Sequence, residues 1–142
     1  MKKITLILLI ILFTNVRAIA QISDLNKRVA IASFVSELSE CAIFYSILGQ
    51  ATDNSGKQWQ GGKKFQKLSE KISIMSFNLA KEINMKPETV LAMMTDFSKK
   101  MGHEIDHDAI NIRILTNKHG KFCKKIAENP QDRLIFWLSQ EK

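Results

Sequence analysis

The sequence predicts an all-α protein, an up-and-down helical bundle of about four helices that follows a cleaved signal peptide. Two observations predict the helices. Apolar residues recur at intervals of three and four along most of the chain, which is the spacing of one helix face. The sequence also contains only two prolines, Pro87 and Pro130, and each stands where a helix is expected to begin.

The N-terminus has the three-part pattern of a secretory signal peptide. Two lysines precede an apolar run at residues 4–13, and small residues lead up to Ala20. A run of this length is too short to cross a bilayer, which takes about 20 apolar residues. We therefore expect a signal peptide at residues 1–20 and a single helical domain at residues 21–142, located in the periplasm or secreted.

The charge of the chain is moderate once the signal peptide is removed. The formal net charge is +7, and loss of Lys2, Lys3 and Arg17 lowers it to +4. Nucleic-acid-binding proteins concentrate positive charge on one face or segment, and export argues further against such a partner. We expect neither a nucleic-acid partner nor an integral membrane protein. A protein partner and contact with a membrane surface remain open.

The first two helices are predicted by two apolar stripes that a polar loop separates. The first stripe runs from Leu25 to Leu48 and is expected to end at Gly49. A loop rich in glycine, asparagine and glutamine follows. The second stripe then runs from Phe65 to Ile83, which predicts the second helix.

A third stripe begins after Pro87 and continues from Val90 to Ile126. It predicts either one long helix or two helices with a break near Gly102 or Gly120, because glycine weakens a helix interior.

A local alternative exists at residues 109–115, where apolar and polar residues alternate as in a strand. Since a lone strand without a partner is unstable, we keep the helix. Asn129 and Pro130 are then expected to cap and begin a short terminal helix.

The two cysteines, Cys41 and Cys123, both lie in the predicted mature chain. In an exported protein a pair of cysteines is most simply interpreted as one disulfide. Such a bond would close a loop of about 80 residues and contribute roughly 4 kcal/mol to stability. Two unpaired buried thiols, or a bridge to another chain, are the alternatives.

The segment HEIDH, from His103 to His107, matches the H-E-x-x-H signature of zinc proteases. There the two histidines bind zinc and the glutamate, here Glu104, activates the bound water. A third ligand is also needed. The extended form of the motif would place a glycine and a histidine at positions occupied by Ile110 and Arg113.

Two further features favour a solvated helix face over a zinc site. Asp106 puts a charge inside the motif, and on a continuous helix the two histidines would point away from the apolar stripe. We therefore expect no cofactor. The alternatives are a catalytic zinc site formed by His103, His107 and Glu104, and a non-catalytic metal site at the same histidines with a nearby carboxylate.

A basic ridge is predicted on the second helix. Lys63, Lys67 and Lys71 recur every four residues, with Lys64 beside them, and we call these four the lysine ridge. It is a possible interaction surface for anionic lipid or an acidic partner. The alternative is the ordinary wet face of an amphipathic helix.

Two short motifs carry a family resemblance. The first is SECAIFYSI at residues 39–47, and the second is C-x6-P-x2-R-x3-W, which includes Cys123, Pro130, Arg133 and Trp137. With these, the chain resembles an uncharacterised family of small exported two-cysteine helical proteins of Gram-negative bacteria. The resemblance implies a helical fold and a paired set of cysteines. It implies no catalytic residue, and HEIDH is not part of the pattern.

These observations together favour a binding or accessory protein that has no chemistry of its own and acts through rigid helix faces. The alternative from another class is a zinc-dependent hydrolase that uses the HEIDH motif.

Overall fold

The computed structural model describes the backbone of residues 2–54 and 61–140, and the side chains of residues 24–52, 61–108 and 110–140. The predicted cleavage site after Ala20 lies outside the residues whose side chains are described. The described residues form helices and no strand, which confirms the all-α class. The helices are α1 (Lys2–Asn54), α2 (Gly61–Glu82), α3 (Pro87–Glu104), α4 (Ile112–Glu128) and α5 (Pro130–Gln140), with a short 3-10 turn at Ala109–Asn111.

Helix α1 forms the centre of the fold, and each of the other four helices packs against it, α2 most extensively. Its buried stripe matches the predicted one from Val35 to Leu48, but Leu25 and Val29 at the start of the predicted stripe are 59% and 48% exposed. The largest fully buried side chains include Phe34, Leu38 and Phe44, all from α1. Burial of this stripe removes a continuous apolar face from water and supplies the main stabilising free energy of the fold.

Helix α1 does not end at Gly49, as the sequence predicts, but continues to Asn54. Gly49 is buried, and a Cβ atom added there would lie 2.8 Å from the Gln66 side chain and 3.3 Å from the Gly62 carbonyl oxygen. The glycine therefore permits close approach of α1 and α2 instead of terminating the helix.

Among the described residues, the segment Asp24–Thr52 of α1 is long and apolar enough to cross a membrane. More than half of its apolar window, 56%, is buried inside the protein. That is the pattern of a helix at the centre of a folded core.

The third predicted stripe consists of two helices, so the prediction of a break near Gly102 is confirmed and the single long helix is wrong. Asp106 and His107 adopt left-handed backbone angles, with φ of 49° and 55°. The amide of His107 donates to the Gly102 carbonyl at 2.9 Å, and the amide of Ile110 donates to Asp108 Oδ1 at 2.9 Å. Aspartate and histidine adopt left-handed backbone angles more readily than most other non-glycine residues, so Asp106 and His107 suit the turn that separates α3 from α4.

The segment at residues 109–115, considered as a strand, forms the 3-10 turn and the first residues of α4. Gly120, the other predicted break, lies within α4. The two prolines begin α3 and α5 as predicted.

The predicted disulfide is confirmed. The sulfur atoms of Cys41 and Cys123 lie 2.08 Å apart and join α1 to α4. Both cysteines are 0% exposed, so the bond lies inside the hydrophobic core and fixes the position of α4 on α1.

Candidate functional site

The HEIDH motif does not form the helical arrangement of a zinc protease. His103 and Glu104 occupy the last turn of α3, whereas His107 lies beyond the helix in the left-handed turn. The two imidazole rings stand edge to face with centroids 5.0 Å apart, and both are exposed. The histidines are exposed as the sequence predicts, but the reason is that the chain leaves the helix between them.

Glu104 binds residues of α4. Its carboxylate accepts a hydrogen bond from Lys118 Nζ at 2.7 Å and lies 3.3 Å from His119 Nε2. Within the described part of the chain, no group of three or more histidine, cysteine, aspartate or glutamate residues is placed to hold a metal ion. The Glu104 carboxylate is therefore engaged in a contact between α3 and α4.

His119 is a buried polar residue that connects three helices. Its side chain is mostly buried, with Nδ1 at 2.8 Å from Glu40 of α1 and Nε2 at 3.3 Å from Glu104 of α3. Both ring nitrogens face carboxylates, so the ring links α4 to α1 and to α3. His119 lies within the third predicted stripe, from Val90 to Ile126, but sequence analysis did not identify its two partners. The signal that could have revealed them is the position of His119 on an apolar stripe, because a buried histidine needs a hydrogen-bond partner.

We expect the contact between Glu104 and α4 to make the free energy of unfolding depend on pH in the acid range. Burial raises the pKa of the Glu104 carboxyl, but the hydrogen bonds and positive charges of Lys118 and His119 outweigh it, so the pKa is lowered. A lowered pKa in the folded state means that the stabilisation is present above the unfolded-state pKa of about 4.3 and is lost as the pH falls through the folded-state value. Glu104→Gln should therefore lower the free energy of unfolding by about 1 kcal/mol at pH 7.

Urea unfolding at pH 7 and at pH 3 tests this expectation. The difference between wild type and Glu104→Gln should shrink from pH 7 to pH 3, because the wild-type carboxyl takes up a proton as the pH falls through its lowered folded-state pKa. Asp96→Asn, which neutralises an exposed carboxylate on the same helix, is the matched control and should change little at either pH. A difference that persists unchanged at pH 3 would contradict the assignment.

An open cleft of about 680 Å³ lies between α1, α2 and α4. We call it the lysine-rimmed cleft. Its apolar floor consists of Phe44, Tyr45 and Leu48 from α1, Phe65 and Leu68 from α2, and Ala127 from α4. Its polar rim consists of Lys64 from α2 and Thr116, Lys121, Lys124 and Glu128 from α4.

Gly120 helps to keep the cleft open. A Cβ atom added there would make only ordinary contacts, 3.5 Å from Thr116 Cγ2 and 3.9 Å from Phe44 Cζ. Since glycine has no side chain, nothing from this position covers Phe44. The floor is also ordered by aromatic packing, with the Tyr45 and Phe65 rings stacked at 6.0 Å between centroids.

The rim of the cleft is positively charged. Lys124 lies 3.8 Å from Glu128, and both side chains are exposed. Lys64 and Lys121 make no ion pair with any residue whose side chain the structure describes. Lys64 also belongs to the lysine ridge, whose four members line a neighbouring shallow groove on α2. The predicted ridge is therefore continuous with the cleft, and its positive charge extends the rim.

Tyr45 supplies a polar atom to the floor. The residue is 5% exposed, and its hydroxyl makes no hydrogen bond to another described residue. Burial raises the pKa of the Tyr45 phenol, and the negative charge of Glu128 raises it further. The hydroxyl consequently keeps its proton at neutral pH and can donate a hydrogen bond.

A second polar contact joins α1 to α5. The Arg133 guanidinium donates two hydrogen bonds to the Glu37 carboxylate, and Trp137 Nε1 donates a third at 3.0 Å. The guanidinium carbon also lies 4.2 Å from the centroid of the Phe136 ring. We call this set the Glu37 clamp. Sequence analysis named Arg133 and Trp137 through the resemblance but missed Glu37.

Comparisons of the chain with protein-family models, with curated proteins and with solved structures give no significant match. The family resemblance therefore stays a prediction based on its two motifs. The geometry of the cleft and of the contacts around it is the basis for a functional proposal.

Proposed function

We propose that the protein is an exported, disulfide-tied helical binding protein that takes its ligand in the lysine-rimmed cleft. The observation that carries the proposal is the combination of an apolar floor from three helices with a lysine rim. The signal-peptide pattern supports export to the periplasm or beyond. The buried Cys41–Cys123 bond supports it as well, because disulfides persist in oxidising compartments.

The composition of the cleft favours binding over catalysis. Ligand sites are concave, mostly apolar and about 300–1,000 Å³ in volume, with a few polar groups that fix orientation. The cleft has this size and this mixture of groups. A nucleophile needs a base within hydrogen-bond reach, whereas the acid and base that approach each other here, Glu128 and Lys124, form an exposed ion pair. We therefore assign no chemical step to the cleft.

Contacts between the helices hold the walls of the cleft in place before a ligand binds. The disulfide fixes α4 on α1, and the close approach at Gly49 fixes α2 on α1. All three walls of the cleft are thus held in place without a ligand, and a preformed site loses less conformational entropy on binding.

Filling the cleft is expected to abolish binding of an apolar probe. Gly120→Leu projects a large side chain over Phe44 and should weaken binding of the neutral fluorophore N-phenyl-1-naphthylamine at least tenfold. Fluorescence titration of the mature protein gives the affinity. Asn117→Leu, an exposed position on the same helix that does not line the cleft, is the matched control and should bind as wild type does.

Circular dichroism and thermal unfolding show whether both variants remain folded. A wild-type protein that does not bind the probe, or a folded Gly120→Leu variant with wild-type affinity, would overturn the proposed function.

A further inference from the structure

We infer that the ligand of the lysine-rimmed cleft is a single-chain amphiphile with an anionic head group, a free long-chain carboxylate, whose chain lies on the apolar floor and whose head group meets the lysine rim. This inference rests on the proposed function and names the class of ligand.

The floor fits an acyl chain. Phe44, Tyr45 and Leu48 are 1%, 5% and 8% exposed, so they form the closed base of the cleft and present little surface to it. Phe65 and Leu68 continue this surface along α2. The result is an apolar strip without a buried charge, on which the methylene groups of an acyl chain are removed from water. A small polar anion would leave this strip unused.

The rim fits an anionic head group. Lysine side chains stand on both walls, Lys64 on α2 and Lys121 and Lys124 on α4. Glu128 is the acidic residue of the lining, and Lys124 lies beside it at 3.8 Å. Lys64 and Lys121 are left without an ion-pair partner among the described side chains. Two such ammonium groups beside an apolar surface complement a carboxylate that is joined to a hydrocarbon chain.

The apolar floor also favours this ligand over the other partners to which a basic surface can bind. A membrane surface or an acidic protein would contact the outward lysine ridge, but neither requires an open apolar strip of this size behind it. Charge and apolar surface are combined in one site, and an anionic amphiphile uses both.

Competition between ligands of equal chain length tests the inference. Dodecanoate, dodecanol and dodecyltrimethylammonium, each below its aggregation concentration, are titrated against protein loaded with N-phenyl-1-naphthylamine. Dodecanoate should displace the probe at a concentration at least tenfold lower than the neutral or cationic ligand. Equal displacement by dodecanol would overturn the anionic preference while leaving the proposed function intact.

Charge reversal at the rim is the second arm. The double variant Lys64→Glu with Lys121→Glu should weaken dodecanoate binding at least tenfold and leave binding of the neutral probe unchanged. Lys99→Glu with Lys100→Glu, at exposed positions on α3, makes the same change in net charge outside the cleft and should bind dodecanoate as wild type does. Weakened dodecanoate binding in both double variants, or in neither of them, would overturn the placement of the head group.

Vesicles of phosphatidylglycerol separate a free ligand from a membrane surface. We expect wild type to bind monomeric dodecanoate and to show no stable binding to the vesicles. Binding to vesicles that survives Gly120→Leu but is lost when Lys63, Lys67 and Lys71 are reversed to glutamate would assign the lysines to a membrane and overturn the inference.

Discussion

Replacing Cys41 and Cys123 together by alanine is expected to lower the free energy of unfolding by about 4 kcal/mol. The bond joins residues 82 positions apart, so its loss lets the unfolded chain explore many more conformations. Both sulfurs are fully buried, and alanine keeps the position apolar where serine would bury a hydroxyl. Domains of this size have a total stability of about 5–15 kcal/mol. The variant should therefore unfold at a much lower urea concentration.

Reduction of the wild-type protein with dithiothreitol is the control that changes no side-chain volume. Reduced wild type and the double variant should have free energies of unfolding that agree within about 1 kcal/mol. The single variant Cys41→Ala should have the same free energy of unfolding, because it also lacks the bond. If oxidised and reduced wild type unfold at the same urea concentration, the stabilising role of the bond is contradicted. Two reactive thiols in the native protein would contradict the bond itself.

The parts of the fold that follow from local spacing could be predicted from the sequence. The buried stripe from Val35 to Leu48 and the starts of α3 and α5 at Pro87 and Pro130 depend on residues within a few positions of each other. The disulfide was also predictable, because the chain has two cysteines and their pairing allows no choice of connectivity.

The parts that depend on contacts between distant segments could not be predicted. Gly49 looks like a helix end in the sequence, and only the neighbouring Gly62 and Gln66 show that it is a packing contact. The cleft needs Gly120 to lie over Phe44, which is 76 positions away in the sequence. The lysine ridge was visible from its four-residue spacing, but its continuity with an apolar floor depends on how α2 and α4 pack against α1.

One short segment of α1 carries three contacts with the last third of the chain. Glu37 binds Arg133 and Trp137, Glu40 binds His119, and Cys41 is bonded to Cys123. Residues 37 and 41 are one helical turn apart and lie on the same side of α1. The disulfide therefore fixes α4 on α1. The contact of Glu40 with α4 and the contact of Glu37 with α5 add a carboxylate interaction to each of these two helices.

The Glu37 clamp should make the second largest contribution of these contacts. Glu37→Gln is expected to lower the free energy of unfolding by about 2 kcal/mol, since it leaves the Arg133 charge without its bidentate partner. The Glu37 side chain is 14% exposed and that of Arg133 is 30% exposed, so solvent screens the pair only in part. Arg133 is held in its orientation by the Phe136 ring at 4.2 Å, which limits its freedom to find water when the carboxylate is lost.

A double-mutant cycle separates the pair from the individual side chains. Glu37→Gln and Arg133→Gln are measured singly and together by urea unfolding. The double variant should be more stable than the sum of the two losses implies, by at least 1 kcal/mol, because removing both charges leaves neither one unpaired. Glu70→Gln, an exposed position on α2, is the control and should change stability by less than about 0.5 kcal/mol. Additive losses in the cycle would mean that the two residues act independently, and α5 would then be held on α1 by its apolar contacts and the Trp137–Glu37 hydrogen bond.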